Sequence, residues 1–175
     1  MDIILPRIAR KGTFDPEQVF YQPLVGELFV TFAVGQQPAL GAAGLQQLGL
    51  NAVTVMARSL DNLSAQLTKM SGQPVSGLKF GLETDRTVFT SLKVGNGLEA
   101  CLLLLPHVWN QLSEQVMGDL VVGVPGRDRI LYTGTDDFEG QLAMRKVLEA
   151  AFEDAGPQAL SKELFVWRKG SWQAY

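Results

Sequence analysis

The chain has 175 residues, of which 46% are hydrophobic and 19% charged, with a formal net charge of −3 at pH 7. That length and apolar content suit one domain with a substantial core and argue against disorder. The charge offers no basic field to neutralise phosphates, so nucleic acid is not expected as a partner.

The only cysteine is Cys101, which rules out a disulfide framework within the chain and fits a reducing compartment. Ile3 to Leu5, followed by Pro6, Arg7 and Arg10, is too short for a signal-peptide core. No run approaches the roughly 18 apolar residues of a membrane span. A soluble, cytoplasmic protein with no membrane contact is expected.

Residues 1–23 mix charge with Pro6, Gly12, Pro16 and Pro23 and read as an irregular lead-in, with a short helix near Pro16–Val19. Leu28, Val30, Phe32 and Val34 then alternate with Phe29, Thr31 and Ala33, the period of a strand with one buried face. A turn over Gly35–Gly41 leads to a short helix, Ala42–Leu48, that stops at Gly49. Asn51 is placed to cap a second helix running to about Met70. Its expected buried stripe is Val53, Met56, Ala57, Leu60, Leu63, Leu67 and Met70, with Arg58, Asp61 and Asn62 on the wet face.

Val75–Leu82 and Val88–Val94 alternate about a polar turn at Glu83–Arg86, which predicts a hairpin. Gly95 to Ala100 reads Gly-Asn-Gly-Leu-Glu-Ala and matches the loose dinucleotide-binding pattern. The strand before it is the second arm of a hairpin, however, and no acidic residue ends a second parallel strand as ribose recognition requires. The bland reading is a strand-to-helix turn that needs glycine for positive φ. The helical face Leu98, Leu102, Leu105, Trp109, Leu112 and Val116 is broad, so this segment should be largely buried, kinked or restarted at Pro106. His107 is the only histidine and has no serine or cysteine partner at a recognisable motif.

Gly118 to Thr135 organises the rest. Leu120–Val124 and Ile130–Tyr132 are apolar on both faces of a period-two chain, so this strand pair belongs inside a sheet covered on both sides. Pro125 and Gly126 suit the middle of a type II turn, which predicts a connection longer than two residues with Arg127, Asp128 and Arg129 at its tip. Asp136 or Asp137 can cap the next helix, whose buried stripe is Met144, Val147, Leu148, Ala151, Phe152 and Ala155 and whose end is Gly156-Pro157. Glu163–Arg168 is a last strand, and Ser171–Tyr175 can pair back onto it after Gly170. Hairpins separated by helices give an α+β domain with a mainly antiparallel sheet and helices packed on it, spanning 1–175 as a single domain.

The segment Gly118–Leu131 resembles the "VVAVP-x-x-D" segment of the uncharacterised proteins related to YtpQ of sporulating bacteria. Leu5-Pro6-Arg7-Ile8, Ala57 with Asn62-Leu63, and Leu160-Ser161 with Leu164-Phe165 resemble further pieces of that family, while residues 71–97 have no counterpart. The resemblance implies no activity. It singles out Asn62, Pro125, Arg127 and Asp128.

No nucleophile elbow, phosphate loop or metal-ligand cluster stands out, so neither a cofactor nor a metal is expected. The leading reading is a non-enzymatic protein that binds another protein, immunity- or chaperone-like in a bacterial setting, with an acidic balance that suits a basic partner. The alternative is an enzyme or small-ligand binder with an anion site at the Pro125–Asp128 turn. There Arg127 would grip the anion, Asp128 or Asp137 would serve as base, and Arg129 and Asn62 would lie close by. Trp167, Trp172 and Tyr175 are either the lid of the core or the interface of a homodimer.

Overall fold

The computed structural model describes residues 3–72, 81–85 and 89–175, with 81–85 described by backbone alone. The fold is α+β with antiparallel sheets. Two compact units result. Of the described residues, the first holds 3–24 and 28–72; the second holds Val25–Glu27, 81–85 and 89–175.

In the first unit, strands β1 (Ile4–Arg10), β2 (Tyr21–Val25) and β3 (Leu28–Val34) are ordered β1-β3-β2. β1 lies antiparallel to β3, from Ile4 opposite Val34 to Arg10 opposite Leu28. β3 is the strand its alternation predicts. β1 and the first three residues of β2 fall in the stretch 1–23 read as an irregular lead-in. Pro6 and Pro23 look like breakers, but both sit in edge strands, where a missing N–H need not remove a ladder bond. Ile4, Pro6 and Ile8 are buried in period two. The helix expected near Pro16–Val19 is a single turn, in which Val19 N–H donates to Asp15 O at 2.9 Å.

Helix α1 (Ala42–Gln47) is short, and α2 (Ala52–Ser71) is the long helix expected after Asn51. Asn51 Oδ1 accepts from Val53 and Thr54 N–H, both at 3.0 Å, and Asn51 N–H donates to Thr54 Oγ1 at 2.8 Å, closing a capping box. α2 packs against β1. Its fully buried line is Val55, Ser59, Leu63 and Leu67, not the stripe expected from the sequence: Val53 and Met70 are exposed. Ser59 explains the difference. Its hydroxyl donates to Met56 O at 2.8 Å, so a polar residue can lie inside without an unmet donor. Leu63 and Leu67 each contribute about 1.5–3 kcal/mol by burial.

The second unit is a six-stranded sheet. Its strands are β4 (Gly81–Asp85), β5 (Phe89–Lys93), β6 (Leu120–Gly126), β7 (Arg129–Gly134), β8 (Leu164–Arg168) and β9 (Ser171–Ala174). Their order is β4-β5-β7-β6-β8-β9, with every neighbouring pair antiparallel. β4 and β5 form the predicted hairpin, although Glu83–Asp85 continue β4 where a turn was expected. The parts of that expectation at 75–80 and 86–88 lie outside the described residues.

β6 and β7 are central, and all of β6 is buried. Helix α4 (Phe138–Ala155) covers one face, where Val121, Leu131, Leu164 and Val166 pack against Met144 and Leu148. Gly123 permits that approach: a Cβ there would lie 3.0 Å from Leu148 Cδ1. Over the other face run a 3-10 helix, Glu99–Leu104, and α3 (Pro106–Ser113), which begins afresh at its proline as the sequence allowed. Trp109 of α3 is fully buried and lies edge-on to Trp172, 5.0 Å between ring centres.

The β6–β7 connection is shorter than expected. Arg127 and Asp128 alone make the turn, because β6 continues through Pro125 and pairs Gly126 with Arg129. Gly123 opposes Leu131 and Gly126 opposes Arg129, so Val124 and Pro125 share the space opposite Ile130. This bulge absorbs a proline in a central strand. Val124 O and Pro125 O instead accept from Ser161 N–H at 3.0 Å and Leu160 N–H at 2.9 Å. Gly126 serves close packing, since a Cβ there would lie 3.0 Å from Ala155 Cβ.

Candidate functional site

The site is built where β7 ends and α4 begins. Gly134 closes β7, and a Cβ on it would collide with the Met117 backbone. With glycine there, the segment before β6 lies flat on the segment after β7. Asp136 N–H donates to Met117 O at 3.2 Å, Thr135 N–H to Asp119 O at 2.8 Å, and Asp119 N–H to Thr135 Oγ1 at 2.9 Å. Gly118, at φ +77°, supplies the bend.

The first turn of α4 is anchored as firmly. Asp137 Oδ1 accepts from Gly140 N–H at 2.9 Å, and its Oδ2 accepts from the Thr133 hydroxyl at 2.6 Å. Gln141 Nε2 donates to Gly134 O at 3.1 Å and Thr135 O at 2.8 Å. With Gly140, Gln141 and Met144 turned inward, Phe138 and Leu142 point away from the sheet, 80% and 60% exposed. They stand one turn apart on the same helix face. Met117, held beside Asp136, is 66% exposed. Glu114, three residues before Met117, and Asp136 and Glu139, on either side of Phe138 in sequence, are exposed, and Asp119 pairs with Arg168.

The residues singled out by sequence have other settings. Arg127 and Asp128 form the β6–β7 turn and Arg129 opens β7; Asp128 is exposed, the two arginines half-exposed. Arg127 O accepts from Ala100 N–H at 3.0 Å. Asp137 is at the other end of β7, about 20 Å away at strand spacing, and both its oxygens are engaged. Asn62 belongs to the first unit, where its side-chain N–H donates to Ile4 O at 2.8 Å. The structure therefore groups Arg127, Asp128 and Arg129 and does not bring Asp137 to them.

Trp167 and Trp172 are 4.9 Å apart between ring centres, and Trp172 in turn lies against Trp109. Trp167 Nε1 donates to Asn110 Oδ1 at 3.0 Å and Trp172 Nε1 to Leu103 O at 2.9 Å. Both indoles are thus satisfied within the second unit. Tyr175 is exposed, with its N–H bonded to Leu164 O at 3.0 Å.

The glycine loop that matches the dinucleotide pattern is occupied by the chain itself. Gly95, Asn96 and Gly97 all have positive φ, at 92°, 59° and 67°. Glu99, 3% exposed, accepts from Val94 N–H at 3.0 Å and Gly95 N–H at 2.7 Å through Oε1. An internal carboxylate takes the amides that a phosphate would need.

Searches against protein-family models, curated proteins and solved structures gave no match. Among the described residues no helix is long and apolar enough to cross a membrane. No group of three or more His, Cys, Asp or Glu side chains among them could hold a metal ion.

The exposed trio Met117, Phe138 and Leu142 was not singled out from the sequence. A signal was present, because Phe138 and Leu142 fall outside the buried stripe of their own helix at the spacing of one turn.

Proposed function

We propose that this protein acts by binding another protein, without catalysing a reaction, and that Met117, Phe138 and Leu142 make the contact. The observation that carries the reading is the exposure of these three side chains on a braced corner. Burying a side chain of this size contributes about 1.5–3 kcal/mol. Grouped exposed apolar residues rimmed by polar ones mark interaction surfaces. The caps and loop bonds beneath them fix the backbone in advance, so little ordering cost falls on association.

An immunity- or chaperone-like role in a bacterial cytoplasm suits an acidic chain meeting a basic effector, and the buried Cys101 suits a reducing compartment. Kinship with the YtpQ-related proteins belongs to the same proposal. It rests on Gly118–Leu131, the stretch that forms β6, its turn and the start of β7, and it adds no reaction.

The test is recovery of the tagged chain from its own source at native abundance, beside the variant Met117→Ser/Phe138→Ser/Leu142→Ser. The expected result is a partner held by the unaltered chain and lost by the variant. A partner kept equally by both would move the contact elsewhere. Repeated recovery of the unaltered chain alone would count against the reading.

A further inference from the structure

We infer that the partner presents a cationic amphipathic segment, with apolar side chains for Met117, Phe138 and Leu142 and flanking lysines or arginines for the carboxylates around them. The inference rests on the protein-binding reading and adds the partner's chemistry to it.

The argument starts from the local charge. Segments 114–119 and 135–142, which carry the apolar trio, hold five carboxylates and no lysine or arginine. Two are committed within the chain: Asp119 to Arg168, and Asp137 to Thr133 and Gly140 N–H. Glu114, Asp136 and Glu139 are exposed and form no ion pair among the described residues. An apolar centre supplies affinity, while a rim of one sign selects orientation and partner. Arg145 and Lys146, one turn further along α4, bound the acidic field on that side.

The same rim argues against two other occupants. A second copy of this chain docked through a two-fold axis would set these carboxylates against their own images. An anionic lipid surface would be repelled, although an apolar lipid face would not. The spacing also fits. Phe138 and Leu142 are separated by about 6 Å of helix rise, a distance matched by side chains one turn apart on a helix laid across them.

The probe is a fluorescently labelled synthetic amphipathic helix of leucine and lysine. Its controls are the leucine and glutamate counterpart and a scrambled leucine and lysine peptide. Fluorescence anisotropy with the full chain is measured over a range of salt. Binding of the amphipathic leucine and lysine peptide alone is expected, weakening as salt rises. Phe138→Ser/Leu142→Ser should bind it about tenfold less well, as should Glu114→Gln/Asp136→Asn/Glu139→Gln, the latter with a flatter salt dependence. Far-UV circular dichroism of each variant shows that it is folded; these are surface side chains and their loss leaves the core intact.

Equal binding of either control peptide, or full affinity in either variant, overturns the inference. So does stronger binding to phosphatidylcholine vesicles than to the peptide, or a concentration-dependent dimer that Phe138→Ser/Leu142→Ser abolishes in light scattering. If the peptide fails while recovery of a native partner still depends on Phe138 and Leu142, the charge assignment is wrong and the protein-binding reading stands.

Discussion

The hydroxyl of Thr133 donates to Asp137 Oδ2 at 2.6 Å, joining the end of β7 to the cap of α4. The other oxygen of the same carboxylate takes Gly140 N–H. Asp137 is thereby occupied as the cap that its place before α4 predicts, with both oxygens engaged. Asp137→Ala should cost about 1–2 kcal/mol, and Thr133→Val about 1 kcal/mol. Because they share one carboxylate, the double variant should lose less than the sum. Urea unfolding followed by tryptophan fluorescence reads this, since Trp109, Trp167 and Trp172 all lie in the second unit. Strictly additive losses would show that the two groups act independently.

Gly134 decides whether the loop at Met117 can lie against the start of α4. A Cβ there would strike backbone, which cannot turn aside as a side-chain tip can. Gly134→Ala should therefore destabilise the second unit by about 1–3 kcal/mol. It should also weaken the hydrogen bond from Asp136 to Met117 O and loosen partner binding with it. Hydrogen exchange at the Asp136 amide provides the measurement. Unchanged protection there, together with unchanged stability, would show that the contact relaxes at no cost.

Much of this architecture is legible in the residues, and the failures have local causes. β6 and β7 announce a covered central pair because Leu120–Val124 and Ile130–Tyr132 have no polar face. Asn51 and Thr54 announce α2 because a capping box is a contact between near neighbours. β1 and β2 were hidden because Pro6 and Pro23 are tolerated only at an edge, and edge position is a property of the assembled sheet. The short turn at Arg127–Asp128 was hidden for a related reason. Pro125 reads as a turn residue until the bulge opposite Ile130 and the bonds from Leu160 and Ser161 are seen. At the site, the cap at Asp137 follows from sequence; the exposure of Met117 does not, since it depends on a glycine seventeen positions later.

The three indoles supply a further check. Trp172 Nε1 donates to Leu103 O, fastening β9 to the 3-10 helix across the sheet from α4. Trp172→Phe keeps a ring against Trp109 and Trp167 but leaves that carbonyl without its donor. The expected loss is about 1 kcal/mol. Near-ultraviolet circular dichroism should also weaken, since the indole–indole pairs at 4.9 and 5.0 Å become phenyl–indole pairs. If Trp172→Phe instead raised the partner's off-rate with no loss of stability, these residues would belong to an interface rather than to a lid.

Tyr132 sets how the fold responds to alkali. It lies in β7 inside the sheet, and burial raises its pKa above the ordinary 10.0, while a hydrogen bond with Thr90 acts more weakly in the opposite sense. The fold thus favours the neutral phenol. Below the ordinary value both folded and unfolded chains keep the proton and the contribution is complete. As pH rises past 10.0 the unfolded chain releases its proton first, so stability falls until the folded tyrosine ionises as well. Tyr132→Phe should cost about 1 kcal/mol at neutral pH through the lost hydrogen bond, yet decline less steeply above pH 10.0. Urea unfolding of both proteins on either side of that pH separates the two effects. Parallel decline of the two curves in alkali would mean that the buried phenol contributes nothing to it.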